Sequence, residues 1–183
     1  MPTLTIRFQH GFTLVELMIV VTIMGVLISI ALPALQDYIV RIKLTEGIIL
    51  SAPAKAAISE IATGSDLNIV ATTFNNQNNN TGANSKYVED IQINPITGAI
   101  SIRFNHNTVG LAVNQRSLSL TPFIVSAPGV FLPLNIGLTT GALGPIDWAC
   151  ATETSDTSVS RGLPSTAIGA SGVKARFAPS ECK

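Results

Sequence analysis

The sequence predicts an α+β protein: a long N-terminal helix, membrane-spanning in its first half, packed through its second half against an antiparallel sheet of about four strands. Three observations lead there. An apolar run from Phe12 to Leu35 passes without a turn into an amphipathic stretch that ends near Thr63. Hydrophobic residues alternate at period two after residue 88. The two cysteines, Cys150 and Cys182, bound the last segment.

The apolar run comes first. Between Phe12 and Leu35 the only ionisable side chain is Glu16, and the rest is long enough to cross a bilayer core as a helix. A secretory signal peptide has a shorter apolar core with its cleavage site on the far side. Here the one processing point, Gly11, precedes the run, so cutting there leaves the hydrophobic segment at the start of the mature chain. A carboxylate in such a segment is costly and points to a partner. Cleavage after Gly11 creates one, the cationic α-amine of Phe12. Within one chain the two groups lie a helical turn apart. Between chains, Glu16 of one copy meets the amine of the next and sets their axial offset. The alternative is a Glu16 that rests in the headgroup layer without a specific contact.

The second half of the helix carries Asp37, Tyr38, Arg41, Lys43 and Glu46, then an alanine-rich stretch. Leu50, Ala54, Ala57, Ile58 and Ile61 recur at helical spacing as a buried face, opposite Ser51, Lys55, Ser59 and Glu60. Gly64 reads as the stop signal. Pro33 and Pro53 each remove a backbone donor and favour a kink. The polar tract Asn75–Gly82 reads as an exposed loop. Val88, Ile91 and Ile93, the turn Asn94-Pro95-Ile96-Thr97-Gly98, and Ile100, Ile102 and Phe104 make a hairpin. Ser117–Phe123 and Ile146–Cys150 supply two further strands.

The stretch from Gly11 through Phe12-Thr13-Leu14-Val15-Glu16-Leu17-Met18 resembles the cleavage and methylation site of bacterial type IV prepilins and the related pseudopilins. The resemblance implies that a prepilin peptidase cuts between Gly11 and Phe12 and N-methylates Phe12, and that Glu16 serves subunit assembly. Type IVa pilins carry prolines at places corresponding to Pro33 and Pro53. The Trp148-x-Cys150 and Pro179-Ser180-x-Cys182 pieces resemble the disulfide-bounded loop of the same proteins, although the stretch from Phe123 to Leu143 is longer than that family leads one to expect. On this reading the chain divides into a leader (1–11), a transmembrane and polymerisation segment (12–35), an amphipathic half-helix (36–63) and a globular head (64–183). The head comprises a connecting loop (64–87), the sheet (88–150) and a disulfide loop (150–182).

The implied function is that of a pilus subunit. It is held in the inner membrane among lipid with its head in the periplasm. The inner-membrane assembly machinery then polymerises it into a homo-oligomeric, extracellular helical filament. Adhesion, twitching motility and DNA uptake are the activities the family suggests.

Composition agrees with a structural role. Eleven basic residues balance eleven acidic ones, which leaves no electrostatic footprint for nucleic acid. Charged residues are 12% of the chain, about half the usual share, so its surface is poor at keeping copies apart. A cysteine pair beyond a membrane anchor reads as an exported disulfide, Cys150–Cys182. No CxxC occurs, and His10 and His106 lie far apart in sequence, which disfavours a zinc site. No nucleophile elbow, Walker loop or dinucleotide fingerprint is present, so neither an enzyme nor a cofactor is expected. Asp147, Glu153 and Asp156 lack an EF-hand spacing and read as a solvated loop rather than a calcium site. Three rivals remain: a type II secretion pseudopilin, a low-abundance minor pilin, and a monomeric membrane-anchored periplasmic binding domain.

Overall fold

A computed structural model describes residues 11–183, so of the leader only Gly11 is seen. The chain forms two units, Met1–Gln36 and Asp37–Lys183. In the first, every residue from Gly11 to Gln36 is exposed. It contains most of helix α1 (Leu14–Leu50), which stays helical through Pro33. The helical stretch Leu14–Ser59 is the one, among the described residues, long and apolar enough to cross a membrane.

In the second unit α1 is followed by α2 (Ala52–Ser59), with the break at Ser51. Pro53 has no N–H to offer the carbonyl of Ile49, which accounts for the interruption. The buried stripe passes through Leu44, Gly47, Ser51, Ala54 and Ile58, spaced alternately three and four residues apart. The sequence reading put Ser51 on the polar face. The structure buries it completely, and its hydroxyl donates to the Ile48 carbonyl at 2.6 Å, so no polar group is left unpaired. Lys55, also assigned to the polar face, sits 5.3 Å above the Trp148 ring, and burial pushes its pKa below the ordinary lysine value, opposed by the nearby Glu181.

Gly64 does not end the helix; it opens another, α3 (Gly64–Asn75). The Thr63 hydroxyl accepts from the Asp66 amide at 3.2 Å, while the Asp66 carboxylate accepts from the Thr63 amide at 2.9 Å. This reciprocal box satisfies two otherwise orphaned donors. Leu67, Ala71 and Phe74 bury the inner face of α3. The expected loop is therefore confined to the segment after α3, where a short α4 (Gln77–Asn80) includes Asn78 and Asn79 in the left-handed region.

The sheet has five strands rather than about four: β1 (Val88–Ile93), β2 (Ile100–Phe104), β3 (Ser117–Ala127), β4 (Val130–Pro133) and β5 (Ile146–Ala151). A short turn of helix, α5 (His106–Val109), joins β2 to β3. All neighbours are antiparallel, with β2 and β4 both paired to β3 and β5 paired to β3 as well. β1 and β2 form the expected hairpin, with Ile91 opposite Ile102 and Ile93 opposite Ile100. The Asn94 side chain accepts from the Ile96 and Thr97 amides and tightens its turn. Pro122 falls between the β2 pairing, which ends at Leu120, and the β4 pairing, which starts at Phe123. The long 123–143 stretch thus holds the end of β3, a Pro128-Gly129 turn, β4 and helix α6 (Leu134–Thr140).

The core lies between the α1–α2 stripe, α3 and the sheet, around Leu44, Ile58, Leu67, Ile91, Ile102 and Phe104. Gly47 permits the close approach: a Cβ there would overlap the Phe104 ring. The outward edge of β1 is also occupied. Asn75 donates to the Ile93 carbonyl at 2.8 Å and accepts from its amide at 2.7 Å, and the Ile91 amide donates to Thr81 at 3.0 Å.

Candidate processing and assembly site

The N-terminal site is built from Gly11, Phe12, Thr13 and Glu16. Gly11, Phe12 and Thr13 precede the first helical residue, Leu14, and are exposed. The Gly11–Phe12 bond therefore lies outside the helix in exposed chain, open to a peptidase. Phe12 is 77% exposed.

Glu16 is the third helical residue and faces back on Thr13. The Thr13 amide and hydroxyl both donate to Glu16 Oε2, at 3.0 and 2.9 Å, and the Glu16 amide donates to the Thr13 hydroxyl at 3.2 Å. Thr13-x-x-Glu16 is thus a capping box, which satisfies the Thr13 and Glu16 amides at the start of α1 and sets a negative charge at the positive end of the helix dipole. Sequence reasoning missed this contact, although the spacing of Thr13 and Glu16 signals it. Both Thr13 donors converge on one carboxylate oxygen; among the described residues nothing donates to Oε1. A second donor can join without dismantling the cap.

Of the other predicted residues, Pro33 lies in the first unit and Pro53, Cys150 and Cys182 lie in the second. Cys150 and Cys182 are bridged, with Cα atoms 4.7 Å apart across 32 positions of sequence. The loop is tied down further. Thr152 Oγ1 donates to the Cys182 carbonyl at 2.7 Å, Ser158 Oγ to the Cys150 carbonyl at 2.8 Å, and the Thr157 amide to the last residue, Lys183, at 2.7 Å. Helix α7 (Asp156–Ser160) lies inside this loop. Asp147 is not grouped with Glu153 and Asp156 for a cation; both its oxygens take Arg161 at 2.7 Å. Among the described residues no group of three potential metal ligands occurs.

Comparison with known proteins agrees with this geometry at both ends. Residues 6–32 match the prokaryotic N-terminal methylation motif, and residues 40–183 match the pilin family of bacterial filaments. The chain belongs to the pilin family. It is 33% identical over 112 residues to a type IV major pilin protein of Neisseria gonorrhoeae, a match that covers 61% of this chain and 66% of that protein. It is 34% identical to a fimbrial protein of Neisseria meningitidis, over 61% of this chain and 65% of the other. The chain thus spans just under two thirds of the length of these curated relatives. The crystal structure of a Pseudomonas aeruginosa type IV pilin superposes with a TM-score of 0.74 at 36% identity, covering 79% of this chain and 98% of that one. The α+β architecture with its terminal disulfide is therefore that of a type IV pilin.

Proposed function

We propose that the chain is the structural subunit of a type IV pilus, made as a precursor, cut between Gly11 and Phe12, N-methylated on Phe12 and stored in the inner membrane. From there the assembly machinery would polymerise it into a surface filament. The observation that carries this reading is the first unit: an apolar segment with no buried residue from Gly11 to Gln36. Water does not tolerate that surface, so lipid or other copies of the segment must cover it. Its single carboxylate then acts in assembly. Thr13 holds Glu16 Oε2, and Oε1 is left to accept from the methylated amine of Phe12 on a neighbouring copy.

Electron microscopy and mass spectrometry of filaments sheared from cells test the function. The expected result is a filament fraction dominated by this chain beginning at N-methyl-Phe12. A trace amount would make it a minor pilin, and absence would leave a pseudopilin or a monomeric anchor. Glu16→Gln tests the mechanism. Glutamine is competent in a capping box, so the helix start survives while the charge is lost. Normal cleavage and membrane insertion with failed assembly is expected; wild-type filament yield would refute the charge pair.

A further inference from the structure

A small cavity of about 190 Å³ opens where the helix, strand β5 and the disulfide-closed tail meet, all within the second unit. Lys55 of α2, Trp148 of β5 and Glu181 of the short turn Ser180–Cys182 line it, with Arg161 from the end of α7. Ile48, Leu120 and the Cys150–Cys182 bridge make its apolar wall. The charges are answered unequally. Arg161 is held by both oxygens of Asp147. Lys55 and Glu181 act on each other only at a distance: among the described residues they do not meet as an ion pair, and neither has another charged partner. What steadies the half-buried Lys55 is the Trp148 ring, 5.3 Å from its ammonium; among the described residues no oxygen accepts from it.

This lining selects by charge. An apolar guest would strip water from an ammonium and a carboxylate and give neither a partner. A simple anion is drawn to Lys55 but repelled by Glu181, and a simple cation meets the reverse. For a metal ion, the described residues offer no group of three ligands. A guest that carries both charges, one at each end, satisfies both walls at once. The volume falls below the roughly 300–1,000 Å³ of sites for drug-sized ligands, so the guest has few atoms beyond those two groups. The apolar wall suits a short aliphatic side chain.

We propose that this cavity binds a small zwitterionic α-amino acid, its carboxylate accepting from Lys55, its ammonium donating to Glu181 and its side chain against Ile48, Leu120 and the disulfide. The inference is independent of the filament reading, because every residue it uses lies in the second unit. Bound there, the guest links α2 to the turn that carries Cys182, so the tail is fastened to the helix by a removable tie.

The test uses the full chain purified in mild detergent at neutral pH, with L-alanine as the probe. Calorimetry reads binding, and the fluorescence of Trp148, the single tryptophan, reads its place. A saturable heat with a matching fluorescence change is expected. Propionate and ethylamine, which each carry one of the two charges, should bind at least about tenfold more weakly. Lys55→Gln and Glu181→Gln each remove one charge-assisted hydrogen bond and should each weaken alanine binding by about tenfold or more. Lys174→Gln, outside the cavity, should leave it unchanged. No saturable heat with alanine overturns the proposal. So does saturable heat with unmoved Trp148 fluorescence, which puts the alanine elsewhere, and so does equal binding of propionate or ethylamine, which marks a site for a single charge. These wild-type results decide the matter even where a variant fails to fold. Folded Lys55→Gln and Glu181→Gln variants that bind alanine as the wild type does overturn it as well.

Discussion

Reducing the Cys150–Cys182 bridge is expected to cost the second unit about 3.7 kcal/mol. The bond spans 32 positions, and the loop-closure entropy it removes from the unfolded chain gives that figure at 25 °C. Asp37–Lys183 is 147 residues, and an unfolding entropy of about 2.1 cal/mol/K per residue turns the loss into a fall of about 12 °C in Tm. The single tryptophan, Trp148, lies two residues from Cys150 under Lys55, so its fluorescence reports on the region at risk. The assay is thermal unfolding of the full chain in detergent, oxidised against reduced. Reduction is preferable to serine replacement because it buries no new hydroxyl at positions that are nearly inaccessible. A shift below about 3 °C would refute the reasoning. It would mean that the bonds from Thr152, Thr157 and Ser158 hold the loop with or without the cross-link.

Three other outcomes follow from particular contacts. Gly47→Val should destabilise the head by about 1–3 kcal/mol, because the new side chain meets the fully buried Phe104 ring; an unchanged melting curve would show that the helix can lift from the sheet there. Thr13→Val removes the helix cap at a cost of about 1 kcal/mol but leaves the Glu16 charge, so filaments should still form, and their absence would make the box itself necessary. Hydrogen bonds from Thr63 hold the Asp66 carboxyl below the ordinary aspartate pKa. A depressed folded value means the contribution to α3 is present above the unfolded pKa and disappears as pH falls through the folded one. Carbon-13 NMR titration should therefore show the Asp66 midpoint rising in Thr63→Ala, and amide protection at residues 64–67 falling in acid; an unmoved midpoint refutes the assignment.

What could be read from the sequence was what is local in it. The apolar run, the Asn94–Gly98 turn and the alternation of Ile100, Ile102 and Phe104 each carry their signal within a few residues, and the structure returns them. The processing motif is local for the same reason. Errors arose where a residue's usual meaning was overridden by a partner. Gly64 reads as a helix stop, but with Thr63 and Asp66 around it the same glycine is a helix start. Ser51 reads as surface until its hydroxyl is given the Ile48 carbonyl. Strand β4 and helix α6 were hidden because Pro128-Gly129, Pro133 and Gly137 look like loop residues. In the fold, Gly129 makes a turn, Pro133 ends an outer strand and Gly137 is packed against Ile124.

A chain with few charged residues and a five-stranded sheet faces a danger of its own: strands can add to strands in any number. Asn75 bears on that danger. By giving its amide to Ile93 in both directions, and with Thr81 covering Ile91, the segment after α3 closes the exposed rim of β1 with hydrogen bonds of the chain's own. A foreign strand arriving there finds its donors and acceptors spoken for. Strand addition through that rim is shut. The asparagine-rich stretch thus works as an edge guard for the sheet.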